Sequence, residues 1–298
     1  MSATLVNEVS DQAQKFWAPV LKDELKEASI LATLVNKEYE GTIQRGGDTA
    51  YVSMIERPAA ERKTIGAGSD SFSSQKMVTQ RVGIVADQRI TAAFELEDLI
   101  DLQTQLGNPD GQSKIRQVLL ESLQINLNDY LYSLVAPSAS APDHILTGVT
   151  DFNASQVNIV RKLASQAKWM RQGGWYLLAD PSYMSDMLNS QVLVSADFTG
   201  GADRPVIGGQ IAAQRFGFNI LEDNSAGLAG LGTTGEDCAL AFHPDFLYLV
   251  MGEPQIKVSS LHSNKQHGYL VSVDMWCGAK LGLEGAVKHI SVINSLIS

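Results

Sequence analysis

Two cysteines in 298 residues, Cys238 and Cys277, exclude a disulfide scaffold and leave no Cys-x-x-Cys pair for a zinc or redox site. Both read as buried free thiols, which fits a reducing cytoplasm. Basic charge is scarce too: 23 Lys and Arg stand against 33 Asp and Glu, a formal net charge of −10. A protein that grips phosphates over a wide face needs clustered bases, so that class is excluded, while a small local contact with nucleic acid is not. No uncharged apolar run approaches the roughly 18 residues of a membrane span. Residues 1–14 carry Glu8 and Asp11 and show no basic stretch ahead of an apolar core, so they do not read as a secretory signal.

The usual carriers of chemistry are missing as well. His144, His243, His262, His267 and His289 are scattered without the HExxH spacing that would hold zinc. No GxSxG, GxxxxGK[ST] or SxxK supplies a nucleophile or a phosphate loop. Residues 230–235 do match GxGxxG through Gly230, Gly232 and Gly235, but their exit at 238–242 reads as a strand rather than a helix. No acid stands at 255–257, where a ribose would need one, so a surface loop is the better reading and a nucleotide-binding enzyme the weaker alternative. Glu97 and Asp101 lie four apart beside Glu95 and Asp98, a spacing that could hold a hard cation if helical. A solvated acidic face is preferred, so no metal, cofactor or catalytic residue is assigned.

What is present is a globular composition, 44% apolar and 19% charged, sufficient for one or two domains with a substantial core. Residues 48–92 read as one long two-stranded ribbon. Ala50, Val52 and Met54 alternate with Tyr51, Ser53 and Ile55, and on the return limb Val78, Val82, Ile84, Ala86 and Ile90 share a face. Between the limbs, 57–75 is rich in Gly and Ser. Two strands alone are marginal in water, so the apolar face needs a third surface. From Arg57 to Arg81 five bases (Arg57, Arg62, Lys63, Lys76, Arg81) face two acids (Glu61, Asp70), whereas 94–110 holds Glu95, Glu97, Asp98, Asp101 and Asp110 with no base. A positive limb and an acidic body in one chain imply that one copy lays its limb on the next, through Arg57, Arg62 and Lys63 against Glu95, Glu97, Asp98 and Asp101.

Along the rest of the chain, 1–13 reads as an extended arm, and Phe16, Trp17, Val20, Leu21, Leu25, Ile30, Leu31 and Leu34 recur at helical spacing. Asn108-Pro109-Asp110-Gly111 reads as a turn, with Ser113 as the cap of a long helix whose apolar face is Ile115, Val118, Leu119, Leu123, Leu127, Tyr130 and Leu134, widened by Leu120, Ile125 and Leu131. Pro137 ends it, and 138–151 is linker-like. A helix over 156–172 stops at Gly173-Gly174. Trp175 opens a strand to Ala179, followed by Asp180-Pro181 as the start of a helix reaching Leu188. Strands are expected at 216–221, at 238–251 with a break near His243-Pro244, at 255–261 paired with 269–277, and in the tail 280–293. The class is α+β, with a mixed α/β core.

This order of parts resembles the major capsid proteins of tailed bacteriophages, whose fold is shared with the herpesvirus capsid floor and with encapsulins. The likeness rests on Leu34-Val35-Asn36-Lys37-Glu38-Tyr39-Glu40-Gly41, Gly47-Asp48-Thr49, the long helix, Leu177-Leu178-Ala179-Asp180-Pro181-Ser182, Phe216-Gly217-Phe218-Asn219-Ile220 and Ala241-Phe242-His243-Pro244. It implies an N-terminal arm and helix over 1–44 and an extended loop over 45–92. It further implies a peripheral domain with the spine helix over 93–150 and 252–277, and an axial domain over 151–251 and 278–298. It also implies a shell protein without an active site, assembling as pentamers and hexamers around a DNA genome in the virion after assembly in the host cytoplasm, with no membrane involved. A scaffold that is a separate polypeptide, or none, is expected, since only about 45 residues precede the ribbon, together with a portal and decoration proteins. Crosslinking through a ribbon lysine, here Lys63, is not preferred, and an encapsulin-like compartment is the related alternative.

Overall fold

The computed structural model of the chain describes residues 30–37, 46–55, 58–62, 74, 76–97, 109–136, 144–194, 216–232, 236–260, 268–282 and 289–293. The expected N-terminal arm and most of the first helix lie outside this set. The helix is seen as α1 (Ile30–Leu34), with Leu31 and Ala32 buried.

Gly47, at φ +88°, turns the chain into β1 (Thr49–Ile55), which pairs antiparallel with β2 (Thr79–Val85), Thr49 opposite Val85 and Ile55 opposite Thr79. The return limb does not continue as one strand. Asp87 N–H donates to the Val85 carbonyl in a three-residue turn, and β3 (Gln88–Glu97) enters a different sheet. The face expected to hold Val78, Val82, Ile84, Ala86 and Ile90 is therefore divided. Ile84 and Ala86 are buried at the ribbon's foot, Ile90 belongs to the main core, and Val78 is exposed.

The spine helix, α2 (Pro109–Val135), has 27 residues and at about 1.5 Å each spans about 40 Å. It begins four residues before Ser113: Pro109 and Asp110 are helical rather than a turn, because a proline in the first turn gives up no hydrogen bond. Its buried stripe is Leu119, Leu120, Leu123, Leu127, Leu131, Tyr132 and Val135. Val118 and Ile125 are exposed instead of packed. Ile125 sits two residues from both Leu123 and Leu127, about 200° around the helix from each, so it cannot share their face.

The linker-like passage contains a short strand, β4 (His144–Thr147). Helix α3 (Ala154–Gln166) is capped by Asn153, whose side chain accepts from Ser155 N–H. It stops six residues short of the expected 172, where Lys168 takes φ +57° and Trp169 N–H reaches back to the Ala164 carbonyl. Then come β5 (Trp175–Ala179), α4 (Pro181–Asn189), α5 (Gln191–Val194), β6 (Phe218–Glu222), α6 (Ala226–Ala229), β7 (Cys238–Phe242) and β8 (Leu247–Met251). The break between β7 and β8 is a 3-10 turn, Pro244–Phe246, opened by His243 Nδ1 accepting from Asp245 N–H. The chain closes with β9 (Gln255–Ser260), β10 (Gly268–Leu281) and β11 (His289–Ile293).

These strands make two sheets besides the ribbon. In the first, β10 is central, with β3 antiparallel on one side and β9 and β8 on the other. The second runs β4-β11-β7-β5-β6, with β4–β11 and β5–β6 parallel and the inner pairs antiparallel. Its two faces belong to different cores. Leu178, Leu240, Phe242 and Ile293 face a cluster shared with α1, α2, β3, β8 and β10. Leu177, Ala179, Ala239, Ala241, Ile290 and Val292 face a second cluster with Val157, Val160, Tyr183 and Met187 of α3 and α4. Burial on both faces is why β7 reads as a continuous apolar run without alternation, and in β11 it takes in His289 and Ser291 along with the apolar residues.

Candidate assembly surfaces

Among the described residues, the ribbon is supported at its foot. Ala50, Ile84 and Ala86 pack on Val250 and Tyr248 of β8 in a small third cluster, and paired hydrogen bonds from Gly47 N–H to Ala86 and from Ala86 N–H to Asp48 close the base. Lys280 Nζ donates to the Gly83 carbonyl at 3.3 Å from the adjoining sheet. Farther out, Tyr51 is 63% exposed and Met77 and Val78 stand in solvent. The expected third surface thus exists within the same chain for the first pairs of strand residues, while Tyr51, Met77 and Val78 are left without cover among the described residues.

Of the residues expected to bring copies together, the structure places three. Arg62 is exposed in the irregular passage 58–62, and Glu95 is exposed on β3. Glu97 ends β3, opposite Gly268. Arg57, Lys63, Asp98 and Asp101 lie outside the described residues. Glu95 and Glu97 belong to a strand, and Asp101, the other end of the helical spacing considered for a cation at Glu97, lies outside the described residues. No ion pair joins Arg62, Lys76 or Arg81 to a carboxylate among the described residues, and all three are exposed.

Next to the ribbon's foot is a charged junction that the sequence reading missed. Asp274 of β10 is buried, yet Arg89 of β3 reaches it at 2.6 Å and Lys257 of β9 at 3.5 Å. In the antiparallel register Asp274 faces Thr91 and Arg89 faces Trp276, so the ion pair is a diagonal one across the ladder. The guanidinium also lies 5.3 Å above the Trp276 ring, against whose other atoms Gly46 packs too closely for any side chain. Burial by itself would raise the Asp274 pKa. Hydrogen bonds from Arg89 and Thr91, with the charges of Arg89 and Lys257, override it and hold the carboxyl below its usual range. A single acid inside the apolar run 269–277 was the available signal.

Two further buried carboxylates bind the framework. Asp180 accepts from Tyr183 N–H at 2.8 Å and from Cys238 N–H at 3.1 Å, capping α4 while pinning β7. Burial still pushes its pKa up, against those two hydrogen bonds. Asp223 accepts from the Tyr132 hydroxyl and from Ser225 N–H, tying α2 to the start of α6. Both thiols are buried and free, and desolvation pushes Cys238 and Cys277 up to about 12, so neither is a nucleophile at neutral pH.

Gly230 is the C-cap of the four-residue helix α6, and the chain goes on to β7. The GxGxxG match thus begins as a helix stop, its residues 233–235 lie outside the described residues, and the element that follows is a strand rather than a helix. Among the described residues no group of three or more His, Cys, Asp and Glu could hold a metal ion. Among them, too, no helix is long and apolar enough to cross a membrane.

No family model and no curated protein matches the chain. Solved structures do. One from Mycobacterium phage Che8 superposes with a TM-score of 0.66 at 19% identity, covering 90% of this chain and 91% of that one. The capsid structure of cyanophage P-SCSP1u gives 0.63 at 11% identity over 90% and 88%. The crystal structure of a virus-like particle from Pyrococcus furiosus gives 0.52 at 12% identity over 94% and 99%. At such identities the likeness establishes a shared fold.

Proposed function

We infer from this fold, held in common with phage capsid structures, that the chain is a major capsid protein: the repeating subunit of an icosahedral shell, closed by pentamers and hexamers around a DNA genome. The observation that carries the reading is the extent of the match, about nine tenths of both chains in the Che8 comparison. The ribbon gives the match a physical sense. Its foot is fixed to its own chain, and its exposed outer residues need cover that a neighbouring copy can provide.

In this reading 45–92 carries the extended loop, whose ribbon ends at Val85 before β3 joins the β10 sheet, 93–150 with 252–277 is the peripheral domain, and 151–251 with 278–298 the axial domain. Arg57, Arg62 and Lys63 dock on Glu95, Glu97, Asp98 and Asp101 of the adjacent copy. A scaffolding protein, a portal and decoration proteins are its further partners, and assembly takes place in the host cytoplasm. The Pyrococcus furiosus particle supports a second reading, an encapsulin-like compartment, with a lower TM-score than the two phage structures.

Electron microscopy of the purified or scaffold-co-expressed protein tests this directly. Closed shells are expected, and DNA inside particles from infected cells separates a phage head from a cargo compartment. Only small oligomers across all salt and scaffold conditions would overturn both readings.

A further inference from the structure

We propose that the pocket at the leading ends of β5 and β6 is an anion site that receives an acidic side chain from a second copy of this chain. The source of that side chain rests on the shell reading above; the anion chemistry does not.

A cavity of about 260 Å³ is lined by Arg161, Arg171, Gly174, Trp175, Phe216 and Gly217. Arg161 comes from α3 and Arg171 from the turn that follows it, and both are exposed. Among the described residues no carboxylate pairs with either. In a chain with ten more acids than bases (33 against 23), two arginines converging on one opening, with no carboxylate paired to them among the described residues, form a local positive site.

The site is built rather than incidental. The carbonyls on both sides of Arg171 are tied inward: Trp175 Nε1 donates to Met170 at 2.7 Å, and His243 Nε2 lies 2.7 Å from the Gln172 carbonyl. With Nδ1 accepting from Asp245 N–H, Nε2 carries the proton and donates. Arg171 is thereby held at the rim between two fixed points. Among the described residues seven have positive φ, and five of them (Lys168, Gly173, Gly174, Phe216, Gly217) lie in the two turns that frame this cavity. Phe216 at φ +51° is a non-glycine residue in a region that costs on the order of 1–3 kcal/mol, a cost sustained where the surroundings fix the backbone, as they do at binding sites.

The lining also selects the ligand. Guanidinium forks match a carboxylate in bidentate fashion, and the Trp175 and Phe216 rings offer apolar surface to the methylenes of a Glu or Asp. A nucleic-acid backbone needs a track of bases, of which two arginines in a chain of net charge −10 supply little. Copies of the chain, packed side by side in a shell, bring their surplus carboxylates at high local concentration.

The test has two arms. Calorimetry of the unassembled protein uses glutarate, inorganic phosphate and a short single-stranded oligonucleotide as probes. Glutarate binding is expected to weaken about tenfold in R161A/R171A, equivalent to about 1.4 kcal/mol, with an unchanged thermal midpoint because both side chains are exposed. Equal binding of glutarate by the two proteins overturns the anion site. Tighter, arginine-dependent binding of the oligonucleotide overturns the carboxylate assignment in favour of nucleic acid.

In the second arm, R161E/R171E is expected to raise the protein concentration needed for shell assembly about tenfold at low salt, and less at high salt as screening grows. Normal assembly of that variant overturns the second-copy source. If the wild-type protein forms no shells, the shell reading and the second-copy source fall with it, while the glutarate arm still decides whether the pocket binds anions.

Discussion

Gly278 of β10 lies directly beneath the carbonyl of Val85 at the end of β2, and a methyl group at residue 278 would overlap that carbonyl and the neighbouring Ala86 backbone. This contact sets how closely the ribbon's foot approaches the sheet and thus the direction in which the ribbon leaves the body. The obstacle is backbone on both sides, which cannot rotate away as a side chain could. Gly278→Ala is expected to destabilise the chain by about 1–3 kcal/mol, as overpacking in a close contact does. Urea denaturation checks it, and an unchanged midpoint would show that the foot yields freely.

The spine helix offers a paired comparison. Leu123 is 1% exposed in the main cluster, and its truncation to Ala is expected to cost about 2–5 kcal/mol. Ile125, two residues on, is 58% exposed, and Ile125→Ser is expected to stay within about 0.5 kcal/mol. The two variants share a helix and differ in the face they present. Equal losses would mean that Ile125 is covered in the folded protein, as packing in an assembly would do.

The sequence made the strand at Trp175–Ala179, the Asp180-Pro181 helix start, the break at His243-Pro244 and the β9–β10 pair legible, because each depends on a local device: apolar run, cap, proline or alternation. The bend at Asp87 escaped, since Ile84, Ala86 and Ile90 keep the same parity across it, interrupted only by Gln88, and tertiary packing separates ribbon from sheet. Extending the helical face to Val118 and Ile125 failed for a related reason, as apolar identity says nothing about which residues a neighbour covers. The candidate contact residues were legible as charges but not as a site, for Arg62 and Glu95 stand on separate exposed segments and no ion pair joins them among the described residues. The pocket of Arg161 and Arg171 left no sequence signal, because its walls come from turns brought together by β5–β6 pairing.

A pH dependence follows from His289. Its ring is fully buried on β11, with Nε2 donating to the Val135 carbonyl at the end of the spine helix, Phe246 5.5 Å away, and Nδ1 without a hydrogen-bond partner among the described residues. Burial lowers its pKa from 6.5 to about 4 despite the Val135 hydrogen bond. The unfolded chain therefore takes up a proton near pH 6.5 that the folded chain refuses until about pH 4, so stability present above 6.5 is lost as pH falls through that window. Going from pH 7 to pH 5 is expected to cost on the order of 2 kcal/mol. His289→Gln should flatten this part of the profile even if it lowers the whole curve. Asp274, whose pKa is depressed, contributes its own loss only further down, below the ordinary carboxylate range. A profile of unchanged slope between pH 7 and 5 in His289→Gln would remove His289 as its source.

Ribbon charge makes the last prediction. Arg62 is exposed and without a carboxylate partner among the described residues, and Lys63 follows it in sequence. If these bases dock on Glu95 and its acidic neighbours in an adjacent copy, reversing both to Glu turns attraction into repulsion across the contact. The fold of the single chain should be untouched, since surface substitutions of this kind shift stability by about 0.5 kcal/mol or less. Each exposed pair is worth about 0–1 kcal/mol, but a shell repeats the contact in every copy, so the effect on assembly exceeds that on folding. R62E/K63E is expected to raise the assembly threshold at low salt and to approach the wild type at high salt, where the screening length shrinks to about 3 Å near 1 M. Light scattering against protein concentration at two ionic strengths reads this out, and a Glu95→Lys partner variant should restore part of the loss. A threshold indifferent to both charge and salt would leave the ribbon held by its apolar residues alone.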